Sequence, residues 1–76
     1  MSYPKCATEK ALGERVAEAR QKHPVWDKDL NFALSVLRLE LGELEHAMRY
    51  ETAARVYDEA LDVAAVALRI AEGDWK

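Results

Sequence analysis

The sequence predicts an all-α fold: a three-helix subunit in which helices two and three form an antiparallel hairpin, the subunits oligomerising into a four-helix-bundle core. Three observations carry the helical class. Leu30, Leu34, Leu37, Leu41, Leu44 and Met48 recur at alternating spacings of four and three, and Tyr57, Leu61, Ala64, Leu68 and Ala71 keep the same rhythm, which is the period of a helix face. Pro24 and Gly73 fall where helices should stop. No segment alternates apolar and polar residues as a half-buried strand would.

The first helix is expected from about Pro4 to Lys22, a stretch rich in Ala, Glu, Lys and Arg. Pro4 suits a first helical turn, and Pro24 disfavours helical geometry at His23. Asp27 is the expected N-cap of helix two, whose leucine repeat reads as a core stripe. Helix three is expected to stop at Gly73, a residue type common just past a helix end. The break between helices two and three carries the fewest signals: Arg49 to Arg55 contains neither Gly nor Pro, only Thr52 as an N-cap. One continuous helix from Asp27 to Glu72 is the competing reading. With no internal repeat or linker, residues 1–76 read as a single domain.

Composition narrows the class further. A 76-residue chain buries only about 60% of its unfolded surface. Cys6 is the sole cysteine, so no intrachain disulfide can compensate, and an isolated thiol suggests a reducing, cytoplasmic setting. Association into a homodimer or higher homo-oligomer is the remaining route to stability. Eleven Lys and Arg are scattered among fourteen Asp and Glu, for a net charge of −3, which argues against a nucleic-acid footprint. No long apolar run suggests a membrane segment.

Chemistry is suggested by two acidic pairs. Glu40 falls among Ala33, Val36, Leu37, Leu44 and Ala47 on the apolar arc of helix two, with Glu43 about 60° to one side. A buried carboxylate is costly unless paired, hydrogen-bonded or bound to a metal, so this pair calls for a cation. Glu59 and Asp62 follow on helix three, beside Arg55, Asp58 and Arg69, where periodicity alone favours a solvated face. On one continuous helix, Glu40 and Asp62 would lie roughly 33 Å apart. Pairing Glu40 with Asp62 and Glu43 with Glu59 gives the same midpoint, Glu51, so a turn there would bring all four to one level.

Glu40-Leu41-Gly42-Glu43, then fifteen residues, then Glu59-Ala60-Leu61-Asp62 resembles the E-x-x-E and E-x-x-D signature of the MazG-like, all-α nucleoside triphosphate pyrophosphohydrolases. The flanks Leu39-Glu40-Leu41-Gly42-Glu43-Leu44 and Asp62 to Ile70 are similar to that family's short phage and bacterial members. The resemblance covers roughly residues 26–72. It implies magnesium, with manganese as the alternative ion, held by Glu40, Glu43, Glu59 and Asp62, with Glu40 and Glu43 at the catalytic centre. The implied reaction is hydrolysis of a nucleoside or deoxynucleoside triphosphate to the monophosphate and pyrophosphate, by a water that the metal activates. Leu39 stands where many relatives carry another Glu, and the chain is shorter than the larger members, so the missing walls would come from a second subunit.

Other residues admit two readings each. Trp26 offers a stacking surface for a base, or a helix-start anchor; Arg69 offers a phosphate contact, or a surface ion pair. His46 is expected in solvent, Tyr50 and Tyr57 against the turn, and Trp75 lies past the last helix. No glycine-rich phosphate loop, zinc-binding cysteine set or nucleophile motif is present. The alternative for the whole chain is a non-catalytic helical oligomer or adaptor that keeps the acidic cluster, as a vestigial metal site, for assembly or regulation.

Overall fold

The computed structural model describes residues 5–26 and 29–76 and consists, over those residues, of three helices and no strand. They are α1 (Lys5–Lys22), α2 (Leu30–Tyr50) and α3 (Ala53–Ala71). The expected roles of Pro4 and Asp27 lie outside the described residues. Asp29 caps α2: its backbone is extended and its side chain accepts the Asn31 N–H at 2.8 Å.

The α2–α3 break falls at the predicted midpoint. Glu51 leaves the helical conformation with φ −120° and ψ −176°, and Thr52 caps α3 by accepting the Arg55 N–H at 3.3 Å. A single hydroxyl thus starts the helix that the absence of Gly and Pro left unmarked. At the far end Gly73, at φ 86°, reverses the chain in the left-handed region. Its N–H donates to the Ile70 carbonyl at 3.1 Å and the Asp74 N–H to the Arg69 carbonyl at 3.0 Å, the paired bonds of a Schellman motif.

Helix α3 is the middle element: α2 packs along one side and α1 along the other, while α1 and α2 do not pack on each other among the described residues. The arrangement is a flattened body of 38 × 26 × 18 Å with a groove between the outer helices. Close approach of α2 to α3 is made by small residues, Ala33 and Ala47 being 1% and 0% exposed. Trp26, Ala33 and Val66 form the buried cluster, with Val36, Leu37, Ile70 and Trp75 packed against it.

The leucine repeat of α2 behaves differently from a simple core stripe. Leu37 and Leu44 are half-buried, but Leu30, Leu34, Leu41 and Met48 are exposed. One partner helix covers only part of an apolar arc this wide, and α3 takes the alanine side of it. Trp75 is more than a tail residue: its indole N–H donates to the Ile70 carbonyl at 3.1 Å while the ring packs against the core.

Candidate metal centre

The hairpin register sets the site. Glu40 and Glu43 lie one turn apart on α2, and Glu59 on α3 faces them, so that one carboxylate oxygen of each lies within 4.8 Å of the others. Glu43 is exposed, Glu40 half-buried and Glu59 only 5% exposed. Arg55, one turn before Glu59, donates to its Oε1 at 2.6 Å. Glu59 Oε2 and Glu40 Oε2 are buried without a hydrogen-bond partner among the described residues.

Burial first, then the neighbouring Glu43, holds the Glu40 carboxyl up at about 7, with Asp62 and Glu59 adding to the effect. Glu59 is also raised, by burial and by the Glu43 carboxyl, against the lowering effect of Arg55. A carboxyl–carboxyl contact holds a hydrogen bond only while one partner is protonated, so with all three ionised the cluster is short of positive charge. Three hard oxygen donors converging from two helices, two of them with orphaned buried oxygens, suit a divalent cation of the magnesium class.

Asp62 shares the level of Glu40 but stands apart from that trio. Its Oδ1 accepts from Arg15 Nη1 of α1 at 2.6 Å. Arg69 is not on a solvated face: it is 2% exposed, with Nε donating to Asp74 Oδ2 at 2.6 Å and Nη2 to the His23 carbonyl. Its guanidinium lies 4.2 Å from the centroid of the Trp26 ring, which is itself 6% exposed, so the two expected substrate contacts are packed on each other. His46 is in solvent, its ring 5.1 Å from that of Tyr50 and Nδ1 3.4 Å from Glu51 Oε2. Tyr50, at 73% exposure, does not pack against the turn.

No protein-family model, curated protein or solved structure matches this chain. Among the described residues, no helix is long and apolar enough to cross a membrane.

Arg15, Arg20 and Asp74 were not singled out by sequence. Arg15 and Arg20 reach across 47 and 54 residues to Asp62 and Asp74, and the regular charge pattern of α1 does not distinguish them from solvated arginines. Arg55 was readable from its four-residue spacing to Glu59.

The raised Glu40 group sets a sign for pH dependence. Between the ordinary carboxylate range and about 7, the folded chain binds a proton that the unfolded chain releases, so stability falls as pH rises through that window. In chelator, Tm is expected to be higher near about pH 5.5 than near about pH 7.5, by roughly 4–8 °C for each kcal/mol of difference. Glu40→Gln should flatten that slope; an unchanged slope would contradict the assignment.

Proposed function

We propose that this protein is a magnesium-dependent pyrophosphohydrolase that converts a nucleoside or deoxynucleoside triphosphate to the monophosphate and pyrophosphate. The observation that carries the reading is the convergence of Glu40, Glu43 and Glu59 with two buried carboxylate oxygens that have no hydrogen-bond partner among the described residues. The likeness of Glu40–Glu43 and Glu59–Asp62 to the MazG-like signature supplies the reaction class.

Glu40, Glu43 and Glu59 are the ligand set, and Asp62 joins it if its carboxylate leaves Arg15. A magnesium ion bound there supplies charge for the phosphates and lowers the pKa of a bound water. Glu40, which offers one oxygen to the ligand set and has Oε2 without a partner among the described residues, is the group assigned to accept the proton of the attacking water. Arg55 orients Glu59 through its 2.6 Å bond, fixing the α3 side of the cluster. A basin of about 580 Å³ between the α2 and α3 faces, lined by Arg38, Gly42, Glu43, Arg55 and Glu59, is the space for the phosphate chain. The test is magnesium-dependent release of pyrophosphate from a panel of triphosphates.

The reading includes a homo-oligomer in which α2 and α3 of two copies build a four-helix core. Leu34, Leu41 and Met48 repeat every seven residues on α2 and are 41%, 47% and 68% exposed, an apolar line that a second copy would cover. Sedimentation is expected to give at least twice the 8.6 kDa chain mass. Leu41→Glu should shift the protein to monomer and lower its stability; a folded wild-type monomer would refute the shared core.

A further inference from the structure

Asp62 lines the same groove as Glu40, yet its carboxylate is held by α1. Arg15 Nη1 donates both to Asp62 Oδ1 at 2.6 Å and to the Asp58 main-chain carbonyl at 3.1 Å. The two side chains are 33% and 32% exposed, so the pair is neither buried nor free in solvent. It ties α1 to α3, as Arg20 with Glu72 and Asp74 ties α1 to the segment just past α3. Arg15, Asp62 and Glu40 all line the groove between α1 and α2. Glu59, 5% exposed, offers an oxygen to the neighbouring cluster and has Oε2 without a partner among the described residues, so the cluster is short of positive charge while Asp62 is engaged by a cation of α1.

We propose that Arg15 is a positioning residue that competes with a divalent cation for Asp62. Cation binding at Glu40, Glu43 and Glu59 draws the Asp62 carboxylate into the ligand set, and the Arg15 tie between α1 and α3 loosens to its Asp58 contacts. This rests on the metal reading above. A partly exposed ion pair is weak enough to be exchanged for ligation of a divalent ion, and the exchange couples metal loading to the docking of α1.

The experiment is a Mn²⁺ titration, with free Mn²⁺ followed by electron paramagnetic resonance, of wild type, Arg15→Gln, Asp62→Asn and the double variant. Arg15→Gln is expected to tighten binding by about 2- to 5-fold, the range set by partly exposed ion pairs. Asp62→Asn weakens it, and in that background the Arg15 effect vanishes. Arg15→Lys, which keeps the charge but not the two-pronged contact, falls between wild type and Gln. Hydrogen exchange of the α1 amides around Val16 should speed up on Mn²⁺ addition in wild type and not in Asp62→Asn. An unchanged affinity in Arg15→Gln, or a change that persists with Asn at position 62 as a general charge effect would, overturns the proposal while leaving the metal site standing. Absence of any Mn²⁺ binding that Glu43→Gln removes overturns both.

Discussion

Glu43→Gln is expected to melt at a higher temperature than wild type in chelator, and to lose the stabilisation that magnesium or manganese confers. Both effects follow from the position of Glu43, whose carboxyl contacts those of Glu40 and Glu59 and raises both. A glutamine there removes one of three crowded charges and supplies an amide N–H that Glu40 Oε2 or Glu59 Oε2, both without a partner, can accept. Relief of about 1 kcal/mol, or roughly 4–8 °C, is the expected gain in the free protein. Cation binding moves the other way. Outer-shell partners of metal ligands cost about 10- to 100-fold in affinity when removed, so loss of a ligand itself should cost more than about 100-fold. Wild type at about 100 Kd of Mn²⁺ gains about 2.7 kcal/mol, which the variant should not. Because the variant is expected to be the more stable protein in chelator, its lost metal response cannot be ascribed to misfolding. Equal metal-induced shifts in the two proteins would refute the ligand assignment.

Asp74→Ala is expected to be the most damaging single change outside the cluster, costing about 3 kcal/mol and lowering Tm by more than about 10 °C. Asp74 lies past α3 where a tail residue would ordinarily be dispensable. Gly73 turns the chain so that the carboxylate accepts from Arg69 Nε at 2.6 Å and from Arg20 Nε at 2.9 Å. The Arg69 side chain is 3% exposed, so without Asp74 a buried guanidinium keeps, among the described residues, the His23 carbonyl and the face of Trp26. Removing one partner of a buried pair costs more than the pair contributes, because the other charge stays desolvated. A chain of this length has a total stability of about 4–11 kcal/mol, so the loss is a large share of it. Arg20 first and Arg69 with it hold the Asp74 carboxyl below the usual carboxylate range. Its contribution is therefore complete above the ordinary Asp pKa and is lost only as pH falls through the lower folded value, a window separate from that of Glu40. Asp74→Asn, which keeps an acceptor oxygen, should fall between wild type and Ala in urea melts; an Ala variant as stable as wild type would contradict the network.

The hairpin was legible because four acidic residues share one midpoint, and Thr52 supplied the only side chain able to cap a helix there. The Gly73 stop was legible because a left-handed residue is nearly a glycine property. Which side of α2 faces α3 was not. Periodicity marks an apolar arc without saying how much one partner covers, and leucines are weighted above the alanines that permit the closest approach. Three of the four expected ligands are brought together, and the fourth is diverted by Arg15, a residue whose role depends on where α1 docks. The burial of Arg69 is hidden for a related reason: a helical wheel assigns a charged residue to solvent unless the partner that buries it is known, and here a partner, Asp74, lies beyond the helix end.

We propose that the Glu40, Glu43 and Glu59 cluster holds a metal that serves triphosphate hydrolysis. The direct measurement is product analysis after incubating the protein with a panel of nucleoside and deoxynucleoside triphosphates and magnesium, wild type beside Glu43→Gln. Monophosphate and pyrophosphate are expected in equal amounts from at least one triphosphate, dependent on magnesium and lost in the variant. No turnover of any triphosphate, together with no magnesium binding by wild type, would contradict it and leave the non-catalytic helical oligomer as the reading of this chain.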